Sequence, residues 1–143
     1  VYIAANAPDA GESCSFLAEA YPLPALDDMV TVGPHVFVSR AAYRANLAAD
    51  LPEDQAWAMS VSQKPVALGS AYEKITAPAW KHKRSWYAVS SEDRIVDPEG
   101  QRWSAQRIGA ETVEIAGSHY TPASRPDEVA ALIVRAAKAV AES

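Results

Sequence analysis

The chain has little with which to cross-link itself, span a membrane or grip nucleic acid. One cysteine, Cys14, among 143 residues excludes an internal disulfide framework and a Cys-based zinc site. It leaves the redox compartment undetermined, with the cytosol favoured. No apolar run approaches the ~20 residues of a membrane span, and no charged, apolar and small-residue leader opens the chain. Thirteen Lys and Arg stand against 18 Asp and Glu, a formal net charge of -5, so no basic stripe is available for phosphates and nucleic acid is not an expected partner. Three histidines, His35, His82 and His119, never fall in H-E-x-x-H or another paired spacing, so no metal is expected. His35 reads as a hairpin residue, and His82 belongs to a solvated basic cluster, Lys81-His82-Lys83-Arg84. What remains is 49% hydrophobic residues in a length that suits one domain of about 100–150 residues.

Val1 to Ala5 is a short apolar run that reads as a buried strand, and Ala7-Pro8-Asp9-Ala10-Gly11 is its exit loop. A helical turn is expected over Phe16 to Ala20, before Pro22 and Pro24 interrupt. Met29–Val32 and His35–Val38 flank Gly33-Pro34 as a hairpin, although Pro34 fits poorly in the favoured tight turns. Ser39 is a candidate N-cap for a helix over residues 40–49, in which Tyr43 and Leu47 share a face. A second helix is expected from Pro52 to Ser62, with Glu53 and Asp54 at its positive end and Pro65 beyond it. Residues 64–84 read as irregular connection with one short helix around Ala71.

From residue 85 the pattern becomes strand (85–89), helix (98–108, stopped by Gly109), strand (111–115) and helix (126–141), which is the grammar of a parallel sheet covered by helices. In the last helix Val129, Leu132, Ile133, Ala136 and Val140 are spaced as one buried face, and Ser124 with Asp127 resembles a capping box.

In such sheets ligands and catalytic groups gather beyond the carboxyl ends of the strands. Two loops there carry titratable groups: Ser90-Ser91-Glu92-Asp93-Arg94-Ile95-Val96 and Ala116-Gly117-Ser118-His119-Tyr120. Adjacent strands lie about 4.8 Å apart, so an Asp and a His on these loops can reach hydrogen-bonding distance. An Asp that accepts from His Nδ1 leaves Nε2 free as a base. The alternative is an Asx turn at Asp93 and an ordinary loop histidine at His119.

These two segments resemble the acid loop and the catalytic-histidine loop of the α/β-hydrolase fold. Val1 to Ser13 is similar to the strand and exit loop that lead into the cap of the small esterase and hydroxynitrile lyase branch, and Leu51-Pro52 to Pro65 resembles a cap helix of related hydrolases. The resemblance implies the C-terminal part of a parallel α/β sheet with helices on both faces and a small, mostly helical cap. It divides the chain into core strand and exit loop (1–13), cap (14–80) and C-terminal core (81–143). It makes Asp93 the triad acid, with Glu92 as the rival, and His119 the general base. Asn6, Trp57, Met59 and Tyr120 become candidate substrate contacts, and no cofactor is implied. Trp80, Trp86 and Trp103 are expected to pack.

The fold presents its nucleophile in G-x-S-x-G, and no such pentapeptide occurs. Gly11-Glu12-Ser13-Cys14-Ser15 lacks the second Gly, so Ser13 and Cys14 are expected to be structural. The nucleophile is therefore expected in an N-terminal half, of the same precursor or of a separate chain, that also pairs with the first strand. A start at Val1 rather than Met agrees with that, and α/β folds commonly need about 200–250 residues. Hydroxynitrile lyases of the branch carry a lysine directly after the histidine. Here Tyr120 stands in that position, which favours ester hydrolysis of a small molecule. The other readings are a lyase of the same branch and a non-catalytic binding or assembly module.

Overall fold

The computed structural model describes residues 1–142. In chain order β1 (Tyr2–Ile3) is followed by α1 (Cys14–Ala20), β2 (Met29–Val32), β3 (His35–Val38), α2 (Arg40–Leu47), α3 (Glu53–Ser62), β4 (Val66–Ala67) and α4 (Leu68–Tyr72). Then β5 (Trp86–Ser90), α5 (Pro98–Arg107), β6 (Glu111–Ile115), α6 (Thr121–Ser124) and α7 (Pro126–Ala141) complete the chain.

The parallel sheet has the order β1-β5-β6, with Tyr2 opposite Tyr87 and Ser90 opposite Ile115. Period-2 alternation along β5 decides which helix lies on which face. Trp86 and Ala88 pack with Ile115 against Val129, Leu132 and Ala136 of α7. Tyr87 and Val89 pack with Ala7 against Ala105 and Ile108 at the end of α5. The sheet is thus covered on both faces, as its sequence pattern requires of a central strand that is buried at every position.

The stripe on α7 is narrower than the spacing suggests. Ile133 is 47% exposed and Val140 59% exposed, whereas Val129, Leu132 and Ala136 are buried. One helical step turns Ile133 about 100° away from Leu132, and the small core offered by Trp86, Ala88 and Ile115 does not reach that far. The expected capping box is not formed either. Ser124 is the last residue of α6, Arg125 occupies the N-cap of α7, and no side chain caps that helix.

Between β1 and β5 the chain forms an insertion that holds α1 to α4 and β2 to β4. Its hairpin has Val32 opposite His35, and Gly33 takes φ +57 at the first turn position. Pro34, with φ locked negative, then suits the second position of a type II′ turn, so the proline is compatible with the hairpin after all. A third strand, β4, pairs antiparallel with β3 where irregular chain was expected. Ser39 caps α2 through Ala42 N–H at 3.3 Å. The insertion's core is Val38, Tyr43, Leu47, Ala48, Leu51 and Ala56.

Asp97 and Pro98 start α5, Asp97 Oδ1 accepting from Glu99 N–H and Gly100 N–H at 2.8 and 3.1 Å. Gly100 is there because Tyr21 passes so close. A Cβ at 100 would lie 2.9 Å from Tyr21 Cβ, an atom no side-chain rotation can move. Gly100→Ala should therefore destabilise the protein by about 1–3 kcal/mol despite the better helix propensity of alanine. Urea unfolding checks this, and a variant as stable as the parent would show that Tyr21 yields freely.

Candidate active site

Because β1, β5 and β6 run parallel, Asn6, the loop after Ser90 and the loop after Ile115 all leave the same edge of the sheet. Across two of these loops His119 Nδ1 lies 2.9 Å from Asp93 Oδ2. The Asp93 side chain is fully buried and that of His119 is a quarter exposed. A carboxylate can only accept, so Nδ1 is the donor, and in the neutral imidazole the lone pair then falls on Nε2, which has no protein partner among the described residues.

The buried carboxylate needs its other lone pairs met, and the local sequence meets them. Asp93 Oδ1 accepts from Ile95 N–H at 2.7 Å and Val96 N–H at 3.0 Å, an Asx turn. Oδ2 accepts from Gln101 Nε2 at 2.8 Å as well as from His119. The Asx turn and the histidine contact are therefore not alternatives; each uses one oxygen. Glu92, the rival acid, is exposed, and its N–H bonds Gly117 O.

Gln101 went unread in the sequence. Its carboxamide is fully buried, accepts from Ser90 N–H at 2.9 Å and donates to Asp93 Oδ2 and to Val96 O, each at 2.8 Å. The available signal is its position: Gln101, Ser104, Ala105 and Ile108 share the buried face of α5, and a glutamine on an apolar face must find a partner.

Both loops are also tied to α2. Arg94 Nε donates to Asn46 Oδ1 at 3.0 Å, and the buried Asn46 amide donates to Asp28 at 2.7 Å. Tyr120 N–H donates to Leu47 O at 3.0 Å, and Tyr43 O–H donates to Tyr120 Oη at 3.0 Å with the two rings stacked. Burial and the bond to Tyr120 push the Tyr43 phenol up. Tyr120 also presents an edge contact to the His119 ring, centroids 5.9 Å apart.

Of the expected substrate contacts, Tyr120 lies beside His119, and Met59 packs with Tyr120 and Ile95 on the insertion's core. Asn6 is half-buried just past β1. Trp57 is not brought to the pair. It lines a groove of about 840 Å³ between α2 and α3, together with Tyr43, Arg40 and Arg44, and neither Asp93 nor His119 reaches that groove. Ser13 caps α1 through Phe16 N–H at 3.2 Å, and Cys14 is the exposed first residue of that helix. Trp80 and Trp103 flank Arg107, which holds Glu12 at 2.6 Å and so fixes the exit loop of β1 to α5. Among the described residues no group of three His, Cys, Asp or Glu is placed to hold a metal, and no helix is long and apolar enough to cross a membrane.

The profile of the alpha/beta hydrolase family matches residues 1–132. The chain belongs to that family. Solved structures agree on the fold. Polyneuridine aldehyde esterase aligns over 89% of this chain and 57% of its own, at 20% identity and a TM-score of 0.69. An extracellular α/β-hydrolase from a Paenibacillus species aligns over 94% and 59%, at 21% identity and 0.68. A histidine-to-alanine variant of PytH aligns over 99% and 61%, at 18% identity and 0.70. The chain thus spans about 57–61% of the length of these hydrolase-fold structures. A search of curated proteins returns no match.

Proposed function

We propose that the chain supplies the acid and the base of a Ser-His-Asp triad to a serine carboxylic-ester hydrolase, with the serine and the oxyanion hole contributed by sequence outside these 143 residues. The observation that carries this reading is the 2.9 Å contact from His119 Nδ1 to a fully buried Asp93. In it, Nε2 takes the proton of the serine hydroxyl as Oγ attacks the ester carbonyl, and returns it to the leaving alcohol when the tetrahedral intermediate collapses. A water then repeats the sequence on the acyl-enzyme, and Asp93 stabilises the imidazolium in each half-reaction.

Two further points support it. The aligned structures include an esterase, and each extends well beyond this chain, leaving room for a nucleophile-bearing half. Tyr120 follows the histidine and offers a phenol where cyanohydrin cleavage in this branch would use an ammonium. The full-length protein should turn over a nitrophenyl ester and incorporate a fluorophosphonate at one serine, located by peptide mass spectrometry outside the 143 residues. Labelling at Ser13 would move the nucleophile into the chain. A folded protein with neither label nor turnover would favour a non-catalytic module.

A further inference from the structure

The histidine loop is gripped from two sides. On the sheet side, Gly117 O accepts from Glu92 N–H at 3.1 Å. On the other side the residues immediately before and after His119 are held by the chain that follows α2. Ser118 N–H donates to Asp50 Oδ2 at 3.2 Å, the Ser118 hydroxyl donates to Asp50 Oδ1, and Tyr120 N–H donates to Leu47 O at 3.0 Å. Both Asp50 carboxylate oxygens therefore accept from Ser118, 68 positions away in sequence.

α2 ends with Ala48 N–H on Arg44 O, and Leu51 N–H on Ala48 O closes the following turn, two backbone bonds made without the Asp50 side chain. Gly117 gives an independent sign of how close the approach is: a Cβ there would lie 3.1 Å from Asp50 Oδ2. Arg125 stands 3.6 Å from the same oxygen. Burial pushes the Asp50 carboxyl up, but the Ser118 hydroxyl and N–H outweigh it and hold the group below the usual carboxylate range. It is an anion at neutral pH and a strong acceptor for both donors.

We propose that Asp50 is a positioning residue for His119, acting through Ser118 to fix the backbone on which the imidazole is mounted. The inference rests on the triad reading above and adds to it a tether between the insertion and the base. Without that tether the loop keeps Gly117 O on Glu92 N–H, the Ser118 hydroxyl 3.0 Å from Leu47 O and Tyr120 N–H on Leu47 O, and the ring keeps its Asp93 contact, so its aim is loosened rather than lost. A misplacement of about 1 Å at a reacting group can cost of the order of 10²-fold in rate. Because Leu47 O still holds Tyr120, losing Asp50 should misplace the ring in part.

In the full-length protein, Asp50→Ala should lower kcat for nitrophenyl acetate roughly ten- to a hundredfold at nearly constant KM. Asp50→Asn, which keeps one acceptor and the shape, should fall between it and the parent and covers the case in which the alanine variant does not fold. Ser118→Ala should lose less, since its N–H remains, and the double variant should lose less than the product of the two single losses, because the Ser118–Asp50 contact is shared while the hydroxyl's 3.0 Å approach to Leu47 O goes only with Ser118. A readout independent of turnover is the low-field proton signal of His119 Nδ1–H. It should persist in the parent and exchange faster in Asp50→Ala. Unchanged kcat and an unchanged signal would overturn the proposal, as would additive losses or a lowered melting temperature with full specific activity. If the parent hydrolyses no ester, the triad reading fails, and the proton signal alone then decides whether Asp50 positions the ring.

Discussion

Asp93→Asn in the full-length protein should lower kcat for a nitrophenyl ester by about 10⁴-fold with KM changed only a few-fold, and His119→Ala should lower it at least as much. The size follows from how completely Asp93 is used. Oδ1 takes two backbone N–H groups and Oδ2 takes Gln101 Nε2 and His119 Nδ1. The introduced amide has one oxygen and one NH₂, so whichever way it turns, its NH₂ meets two donors. If it faces the Asx turn, two backbone N–H groups are orphaned at roughly 1–3 kcal/mol each. If it faces the histidine, the ring is driven to the tautomer that accepts at Nδ1 and carries its proton at Nε2. That tautomer cannot take the nucleophile's proton, which is why the loss appears in kcat rather than in KM. Stopped-flow measurement of the acylation phase would locate the loss in the first proton transfer. Either variant turning over within tenfold of the parent would remove Asp93 and His119 from the chemistry.

The same residue shows what is readable from sequence and what is not. α5 starts at Pro98 and stops before Gly109, and α7 starts at Pro126, where the residue pattern puts them, because Gly109, Pro98 and Pro126 act on their own backbone and need no partner. The Asp93–His119 contact follows from order and from parallel-strand spacing, again without knowledge of the rest of the chain. Tertiary partners decide the remainder. Val66–Ala67 becomes a strand only because β3 offers an edge beside it. Ser124 fails to cap α7 because Thr121 and Pro122 start a helix that absorbs it. Trp57, on the helix read as a cap, faces a groove between α2 and α3 rather than the histidine, a choice made by the packing of Tyr43 and Ala56. Asp50 and Gln101 went unread because their partners, 68 and eight residues away, are supplied by the tertiary fold.

Gln101 carries the second large effect. Gln101→Met keeps approximate shape and removes every polar contact, leaving Ser90 N–H without its acceptor and Val96 O and Asp93 Oδ2 short of a donor, all in or beside the buried site. A cost of about 3–5 kcal/mol is expected, with a kcat loss near 10²-fold because Asp93 Oδ2, the oxygen that faces the histidine, loses its other donor. Gln101→Glu separates the two jobs of the amide by pH. The introduced carboxyl can still accept from Ser90 N–H, but its other oxygen would face Asp93 Oδ2 and Val96 O at about the 2.8 Å that the amide nitrogen keeps. Two carboxylates that close share a proton, so the folded pair should titrate well above the ~4.3 of a free glutamate. The folded state then binds a proton that the unfolded state has released, and stability relative to the parent falls as pH rises from about 4.5 towards the raised value. For a rise of roughly three units the loss is about 4 kcal/mol. Below pH 4.5 the protonated carboxyl donates its one O–H to Asp93 Oδ2 but leaves Val96 O without the amide's second hydrogen, so the variant should recover most, not all, of the parent's stability. Urea unfolding of Gln101→Glu, Gln101→Met and the parent across pH 4.5–7.5 reads this directly. A glutamate penalty that stays flat with pH would mean that Gln101 does not face Asp93 in solution; a penalty that grows with pH while that of methionine stays constant identifies the amide as the group that faces the Asp93 carboxyl.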